Sequence, residues 1–169
     1  MCGDAEIDKW FRNKALKDHG TSKHIVTCAT LEGSSDVIGF YALSAVVEDV
    51  RKLPEASVSF FSYGSELYFP CIQLVYLAVI KPLQGNLYGE VIMSYALREF
   101  AHIASSIGMP AMIVTPLNER AKKFYTKLGF EPYDRGMRMF LPLQSVLTGI
   151  DEVTAEDGGD EEPQQAPLA

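Results

Sequence analysis

A glycine-containing loop between a strand and a helix is the first feature that could support chemistry. Residues 72–80 form an apolar run, residues 81–86 include Pro82 and Gly85, and residues 87–107 carry a helical apolar stripe. A loop that opens a helix presents unpaired backbone N–H groups, and the helix dipole adds partial positive charge there. Such a loop can bind an anion such as a pyrophosphate, although many similar loops bind nothing.

A second segment with possible chemistry lies some thirty residues further on, where Asn118 precedes a helix that Gly129 ends. Asn118 is a good N-cap residue. One face of this helix is apolar, because four residues recur at positions i, i+3, i+4 and i+7, namely Ala121, Phe124, Tyr125 and Leu128. Tyr125 could therefore be a core residue. A phenol with a pKa of about 10 is also suited to protonating a departing thiolate.

The elements that must position these segments predict one α/β (α+β) domain. We predict a first helix over residues 7–17, helices over 87–107 and 118–128, and strands over 24–29, 36–46, 72–80, 111–115 and 138–143. Gly108, Pro110 and Gly129 stop the two later helices. This order of elements favours a mixed, mostly antiparallel central sheet with helices on both faces.

The negative charge of the chain is concentrated at its C-terminal end. The chain has 169 residues, 47% of them hydrophobic, and a formal net charge of −7. The last 20 residues hold seven acids and no Lys or Arg, which leaves 15 acids and 15 bases in the rest. That end is too polar to bury enough surface, so we predict a domain over residues 1–147 and a disordered acidic tail over 148–169.

Several classes of protein are disfavoured by the composition. No apolar run approaches the roughly 18 residues of a membrane span, and the first residues resemble no secretory signal. The spacing typical of metal ligands does not occur among the three cysteines and three histidines, which are Cys2, Cys28, Cys71, His19, His24 and His102. We therefore expect a cytoplasmic protein with no metal site and no membrane association.

Three motifs taken together resemble the coenzyme A core of the GNAT acetyltransferase superfamily. They are the triplet at residues 77–79, the pattern QxxGxG at residues 84–89 and the pattern NxxAxxFYxKxGF at residues 118–130. The resemblance spans roughly residues 3–143 and implies the GNAT fold with acetyl-CoA as cofactor. The cofactor-binding residues that it implies are Leu77, Ala78, Val79, Gln84, Gly85, Asn86, Leu87, Tyr88, Gly89, Asn118 and Phe124.

The same resemblance implies how these residues act. The backbone of residues 77–79 pairs with the pantetheine arm like an added strand, and a splay in the sheet places the thioester carbonyl over a backbone N–H. Tyr125 is the implied general acid. We assign no general base, because an α-amine with a pKa of about 8 is partly neutral at working pH.

A narrower resemblance points to the toxin-type GNAT branch, whose members are encoded with a ribbon-helix-helix antitoxin and acetylate the α-amine of aminoacyl-tRNA. It rests on Cys2, Gly3, Leu16, the turn before His24, and residues 39–44 and 138–143. It implies a toxin that blocks translation, with aminoacyl-tRNA and that antitoxin as partners. The implied tRNA-binding residues are Lys9, Arg12, Lys14, Lys17 and Lys23, together with Arg135 and Arg138.

By residue count alone, a solvated helix surface is the favoured interpretation of these basic side chains. The aromatic residues Phe60, Phe61, Tyr63, Tyr68 and Phe69 fit either a hairpin at a homodimer interface or one wall of the acceptor cleft.

Three departures from the family pattern keep other functions open. Leu87 stands where the superfamily has a glycine; it can still offer its N–H if it has helical dihedrals, but its side chain must point away. The family's first strand precedes Cys2, so we expect the sheet to lack it. Lys23 stands where an Arg is common. The alternatives are an acetyltransferase of a small amine or a protein lysine, and a GNAT-fold binding module without catalytic activity.

Overall fold

The computed structural model describes residues 1–53, 67–133 and 136–149, and a six-stranded sheet is its centre. The strands are β1 (Ile25–Thr30), β2 (Val37–Asp49), β3 (Tyr68–Val79), β4 (Ala111–Val114), β5 (Glu131–Pro132) and β6 (Met139–Pro142). They lie in the order β1-β2-β3-β4-β6-β5. Only β3 and β4 are parallel, so the predicted mixed, mostly antiparallel sheet is confirmed.

Helices cover both faces of this sheet, as predicted. They are α1 (Ala5–Asn13), α2 (Ala15–Gly20), α3 (Tyr88–Ile107) and α4 (Glu119–Lys127), and residues 143–149 are also helical. Successive residues of a strand point to opposite faces. Phe40 and Ala42 of β2 accordingly pack with Trp10 of α1, whereas Tyr41 and Leu43 pack with the buried stripe of α3.

The prediction of one N-terminal helix over residues 7–17 is wrong, because the chain breaks at Lys14, which has φ −130° and ψ −25°. The indole Nε1 of Trp10 donates a buried hydrogen bond of 2.9 Å to Oδ2 of Asp18. In one straight helix these residues would be about 12 Å apart along the axis. The break therefore lets α2 fold back, so that Asp18 meets the indole and Ala15 is buried.

The sheet begins at β1, and the core extends to the helical residues 143–149. No strand precedes β1 among the described residues, and β1 forms one edge of the sheet. At the other end, Val146 is buried and Leu147 packs beside it on the core. The predicted acidic tail lies outside the described residues from position 150 onward.

A glycine in β2 allows α3 to lie close to the sheet beside the end of β3. Gly39 pairs with Val79, and a Cβ at Gly39 would stand 2.7 Å from the carbonyl oxygen of Ala78 and in collision with Cδ1 of Ile92. Ile92 is a buried residue of α3. The position of the start of α3 relative to the end of β3 thus depends on the absence of a side chain at residue 39.

We predict that Gly39→Ala destabilises the fold by about 1–3 kcal/mol, the usual cost of overpacking a close-packed site. Urea unfolding measures this free energy. Gly20→Ala is the matched control, because a Cβ at Gly20 meets nothing within 4 Å and the change should be nearly neutral. Equal stability of the two variants would show that α3 can move away from the sheet without loss.

Candidate active site

Strands β3 and β4 lie side by side over only three residues each, and this interruption creates the site. Residues 72–74 pair with residues 112–114, after which β4 ends and β3 continues to Val79. A register shift opposite Ala42 and Leu43 leaves Val75 as an extra residue in β3. Such a bulge bends its strand. One side of residues 77–79 consequently pairs with β2, and the other faces an open cleft.

The cleft has a volume of about 850 Å³ and is built from four segments. They are the N-terminal arm (residues 1–4) with α1, the end of β3, the loop that opens α3, and α4. The structure brings most of the predicted site residues to its walls, namely Leu77, Ala78, Val79, Gln84, Gly85, Leu87, Gly89, Asn118, Phe124 and Tyr125. Asn86 is exposed outside these walls, and Tyr88 packs against the core instead.

Leu87 is the N-cap residue of α3 and has left-handed backbone dihedrals, with φ 62° and ψ −4°. Leu87 therefore does not have the helical dihedrals under which a leucine was expected to offer its N–H. The loop turns left-handed both here and at Gly85, where φ is 83°. For a residue with a Cβ this conformation costs about 1–2 kcal/mol. The side chain of Leu87 is 69% exposed, so it does point away from the loop, as backbone access requires.

The start of α3 has the properties of an anion site. No side chain of the described residues caps its first turn. Its first N–H groups therefore stay available to a ligand, and the positive end of the helix dipole lies among them. Gly89 in this turn lies next to α4, since a Cβ there would stand 3.6 Å from the ring of Phe124.

Gln84 fixes the N-terminal arm to the end of β3 rather than presenting its side chain to the cleft. Its Nε2 donates to the carbonyl oxygens of Cys2 at 2.7 Å and Val79 at 3.0 Å. The carboxylate of Asp8 accepts the N–H groups of Cys2 at 2.8 Å and Gly3 at 3.3 Å. The arm is thus held as a wall of the cleft. Burial raises the pKa of the Cys2 thiol, so it stays protonated and is a poor nucleophile.

Tyr125 is both a core residue and a cleft residue. It is 7% exposed, and its ring packs edge-on against Phe124 and Phe130 at centroid distances of 5.2 and 5.4 Å. Its hydroxyl has no hydrogen-bond partner among the described residues, and the residue lines the cleft. Burial raises the pKa of Tyr125 well above its ordinary value. The phenol therefore keeps its proton at neutral pH.

Asn118 caps α4, as predicted, because its side-chain oxygen accepts the N–H of Ala121 at 2.9 Å. The residue also lines the cleft. Capping fixes the direction in which α4 leaves β4, and this direction sets where Tyr125 enters the cleft.

The predicted basic residues are dispersed over α1, α2 and the following turn. All five are exposed, namely Lys9, Arg12, Lys14, Lys17 and Lys23, and none of them lines the cleft. Lys23 lies 4.0 Å from Asp18.

The prediction that Arg138 faces a phosphate backbone is wrong. Its guanidinium pairs with the carboxylate of Glu48, which is 5% exposed, and stacks over the ring of Tyr133 at 5.2 Å. A buried carboxylate needs such a partner. Arg135 and the aromatic residues Phe60, Phe61 and Tyr63 lie outside the described residues.

The described residues offer the cleft neither a metal-binding cluster nor a histidine. Among the described residues no group of three or more His, Cys, Asp or Glu side chains could hold a metal ion. No histidine lines the cleft. His24 packs edge-on against Trp10, and its Nδ1 is buried with no hydrogen-bond partner there. Its pKa is lowered by burial, and Lys23 lowers it further.

The lining of the cleft includes residues that were not predicted as site residues. The N-terminal arm and α1 contribute Cys2, Gly3, Asp4 and Ile7, and the helix starts and α4 contribute Glu90, Leu117, Glu119, Arg120, Ala121, Lys123 and Lys127. The basic residues of this set can be seen in the sequence as a run of bases around Tyr125. Their position at the cleft could not be predicted, because it depends on where the sheet opens.

Comparison with known proteins gives several relatives. The chain is 31% identical over 139 residues to a tRNA-acetylating toxin of Mycobacterium tuberculosis strain H37Rv, covering 76% of this chain and 74% of that protein. It is 27% identical over 158 residues to a probable toxin TacT of Sinorhizobium fredii, covering 86% and 84%.

Solved structures share the fold. AtaT in complex with acetyl-methionyl-tRNAfMet has a TM-score of 0.80 at 21% identity, covering 89% of both chains. A tyrosine-to-phenylalanine mutant of the AtaT toxin bound to acetyl-CoA and the C-terminus of the antitoxin AtaR has a TM-score of 0.73 at 20% identity, covering 89% of this chain and 87% of that one.

The family assignment rests on sequence as well as on fold. The model of the acetyltransferase (GNAT) family matches residues 3–130, which include residues 3 and 4 of the N-terminal arm, the end of β3, the loop before α3 and the whole of α4. These are the segments that build the cleft. The chain belongs to the GNAT acetyltransferase family.

Proposed function

We propose that the chain is an acetyl-CoA-dependent N-acetyltransferase toxin that acetylates the α-amine of aminoacyl-tRNA and thereby blocks translation. The observation that carries the chemistry is the cleft itself, in which an unpaired strand edge, an uncapped helix start and the Tyr125 phenol converge. The acceptor is supported by the relatives, one of which is named a tRNA-acetylating toxin. Charged tRNA as substrate implies that the protein acts in the cytoplasm.

The residues present fit acetyl-CoA, which supplies the acetyl thioester when bound. The free edge of residues 77–79 can hydrogen-bond an amide-containing arm as an added strand would. The N–H groups of residues 85–89 can take the pyrophosphate, because they lie at the positive end of α3. The side chain of Leu87 leaves this route open, since it is directed to solvent.

We propose Tyr125 as the general acid, because it lines the cleft. Its phenol holds a proton at neutral pH, since even an unperturbed phenol has a pKa of about 10. Protonation of the departing sulfur needs such a donor, and the usual contribution of a general acid is about 10²–10⁴-fold. The acceptor amine needs no imidazole base, since an α-amine with a pKa of about 8 is partly neutral already.

Two partners follow from this assignment. A toxin of this kind needs an antitoxin, and AtaT is bound to the C-terminus of its antitoxin AtaR. We propose a ribbon-helix-helix antitoxin for this chain on the same ground. We also propose that the chain can form a homodimer; the aromatic segment predicted for its interface lies mostly outside the described residues.

Tyr125→Phe should reduce turnover by about 10²-fold or more, because it removes the proton donor and keeps the ring. Steady-state acetyl transfer measures turnover, and calorimetry should show an unchanged Kd for acetyl-CoA. Thermal unfolding is the control. A hydroxyl without a partner among the described residues contributes little to stability, so Tm should hardly move. A large fall in Tm with activity lost in proportion would assign Tyr125 to the core alone.

Transfer of labelled acetyl groups to total charged tRNA tests the acceptor. Label should enter charged tRNA and be lost when the aminoacyl ester is hydrolysed, whereas uncharged tRNA should take up none. A free polyamine and a lysine-rich protein are the competing acceptors. Labelling of either of them in preference to charged tRNA would replace the proposed acceptor.

A further inference from the structure

The acidic segment at the C-terminal end of the chain (residues 150–169) has no part in the proposed mechanism. It holds seven acids and no Lys or Arg, and it accounts for the whole net charge of −7. The match to the family model ends at residue 130, so the acidic segment lies outside the matched part of the chain. A polyanionic segment tethered to a domain that binds a polyanionic cofactor can compete with that cofactor for the same cations.

The chain leads into the acidic segment from the side of the sheet on which α4 packs. Residues 143–149 are helical, and Val146 is buried in the same hydrophobic cluster as Tyr125 of α4. Just before this helix the chain passes the end of α4, because a Cβ at Gly129 would stand 3.5 Å from Cδ1 of Leu141. The acidic segment is therefore attached on the same side as α4.

The acidic segment is long enough to reach any part of the cleft. Its twenty residues can span up to about 70 Å, whereas a domain of about 150 residues has a radius of gyration of only about 15 Å. Tethering at this length keeps the acids at an effective concentration of about 1 mM. Several individually weak ion pairs are enough to hold the segment on a basic surface under these conditions.

Among the described residues, α4 is the helix with the largest positive charge. Its nine residues hold four bases and one acid. Helix α1 has two bases and two acids, α2 has one lysine and one aspartate, and α3 has one arginine and two glutamates. Charge complementarity therefore favours α4 over the other helices as the surface that the acidic segment meets.

The bases of α4 at the cleft have no intramolecular ion partner in the part of the chain that the structure describes. Three of them are exposed and line the cleft, namely Arg120, Lys123 and Lys127. None of the ion pairs formed within the described ranges involves α4. Three acids also line the cleft without pairing with these bases, namely Asp4, Glu90 and Glu119. The positive charge of α4 is thus available to an anion.

We propose that the acidic segment binds the exposed bases of α4 and competes with acetyl-CoA for the cleft. This autoinhibitory contact regulates the proposed active site, so it rests on the proposed function. The free chain then binds acetyl-CoA more weakly than its cleft alone would. Salt relieves the inhibition, because it screens ion pairs between exposed side chains.

A variant of the 169-residue chain with an uncharged acidic segment tests the proposal. Each Asp is changed to Asn and each Glu to Gln at seven positions, namely Asp151, Glu152, Glu156, Asp157, Asp160, Glu161 and Glu162. A matched control keeps all seven acids and changes five uncharged residues of the same segment to Ser, namely Val153, Thr154, Pro163, Gln164 and Gln165. Calorimetry measures the Kd for acetyl-CoA at several KCl concentrations.

The uncharged variant should bind acetyl-CoA about tenfold more tightly than the wild type at low salt. This factor corresponds to an effective concentration about ten times the Kd of the contact. The two values of Kd should converge at about 1 M salt, where the Debye length is about 3 Å. The control should keep the wild-type Kd. Equal Kd values for the wild type and the uncharged variant at low salt, or the same gain in the control, overturn the proposal.

Carbodiimide cross-linking of the wild-type chain separates a contact from repulsion at a distance, because it joins a carboxylate only to an amine that touches it. Cross-links from the acidic segment should reach Lys123 and Lys127 and decrease with saturating acetyl-CoA. Lysines on the opposite side of the sheet are the internal controls, namely Lys9, Lys14 and Lys17. Cross-links mainly to these lysines, or none from the segment to α4, overturn the proposal. Absence of acetyl-CoA binding by both the wild type and the uncharged variant would contradict the proposed function instead, and the cross-links would still decide whether the contact exists.

Discussion

The site depends on the point at which the hydrogen bonding between β3 and β4 stops. The two strands pair only at residues 72–74 and 112–114; after Leu74 and Val114 the sheet opens, and β3 continues alone on that side. An unpaired strand edge is costly unless a partner or water satisfies it. The chain leaves β4 at Val114 and enters α4 at Glu119, so β4 does not continue beside this edge. The edge is therefore available to a strand-like ligand.

The surroundings of this opening are fixed by hydrogen bonds and by the close packing of α3 on the sheet. Gln84 and Asp8 hold the N-terminal arm, Asn118 caps α4, and Gly39 lets α3 approach the end of β3. Tyr125 is set into the core by its ring and also lines the cleft. Under the proposed function, such preorganisation would place a proton donor and backbone N–H groups without rearrangement on binding.

Much of this arrangement follows from local sequence, and the rest depends on long-range contacts. The apolar stripe of α3, its end at Gly108 and the capping by Asn118 are local signals, and the structure has them all. The break at Lys14 was not predicted, because it results from the hydrogen bond between Trp10 and Asp18. The roles of Gln84 and Arg138 were missed for the same reason, since their partners lie 82 and 90 residues away in sequence. The left-handed backbone of Leu87 could not be predicted, because leucine rarely adopts this conformation. It results from the turn of the loop before α3.

Hydrogen exchange of the backbone amides with and without acetyl-CoA tests the central claim most directly. We predict added protection at two places, the end of β3 at residues 77–79 and the loop and first turn of α3 at residues 85–89, because these amides would bond the ligand. Amides of β1, which lies at the far edge of the sheet, serve as the internal reference. Binding with protection elsewhere, or saturating acetyl-CoA with no protection at either place, would contradict the account.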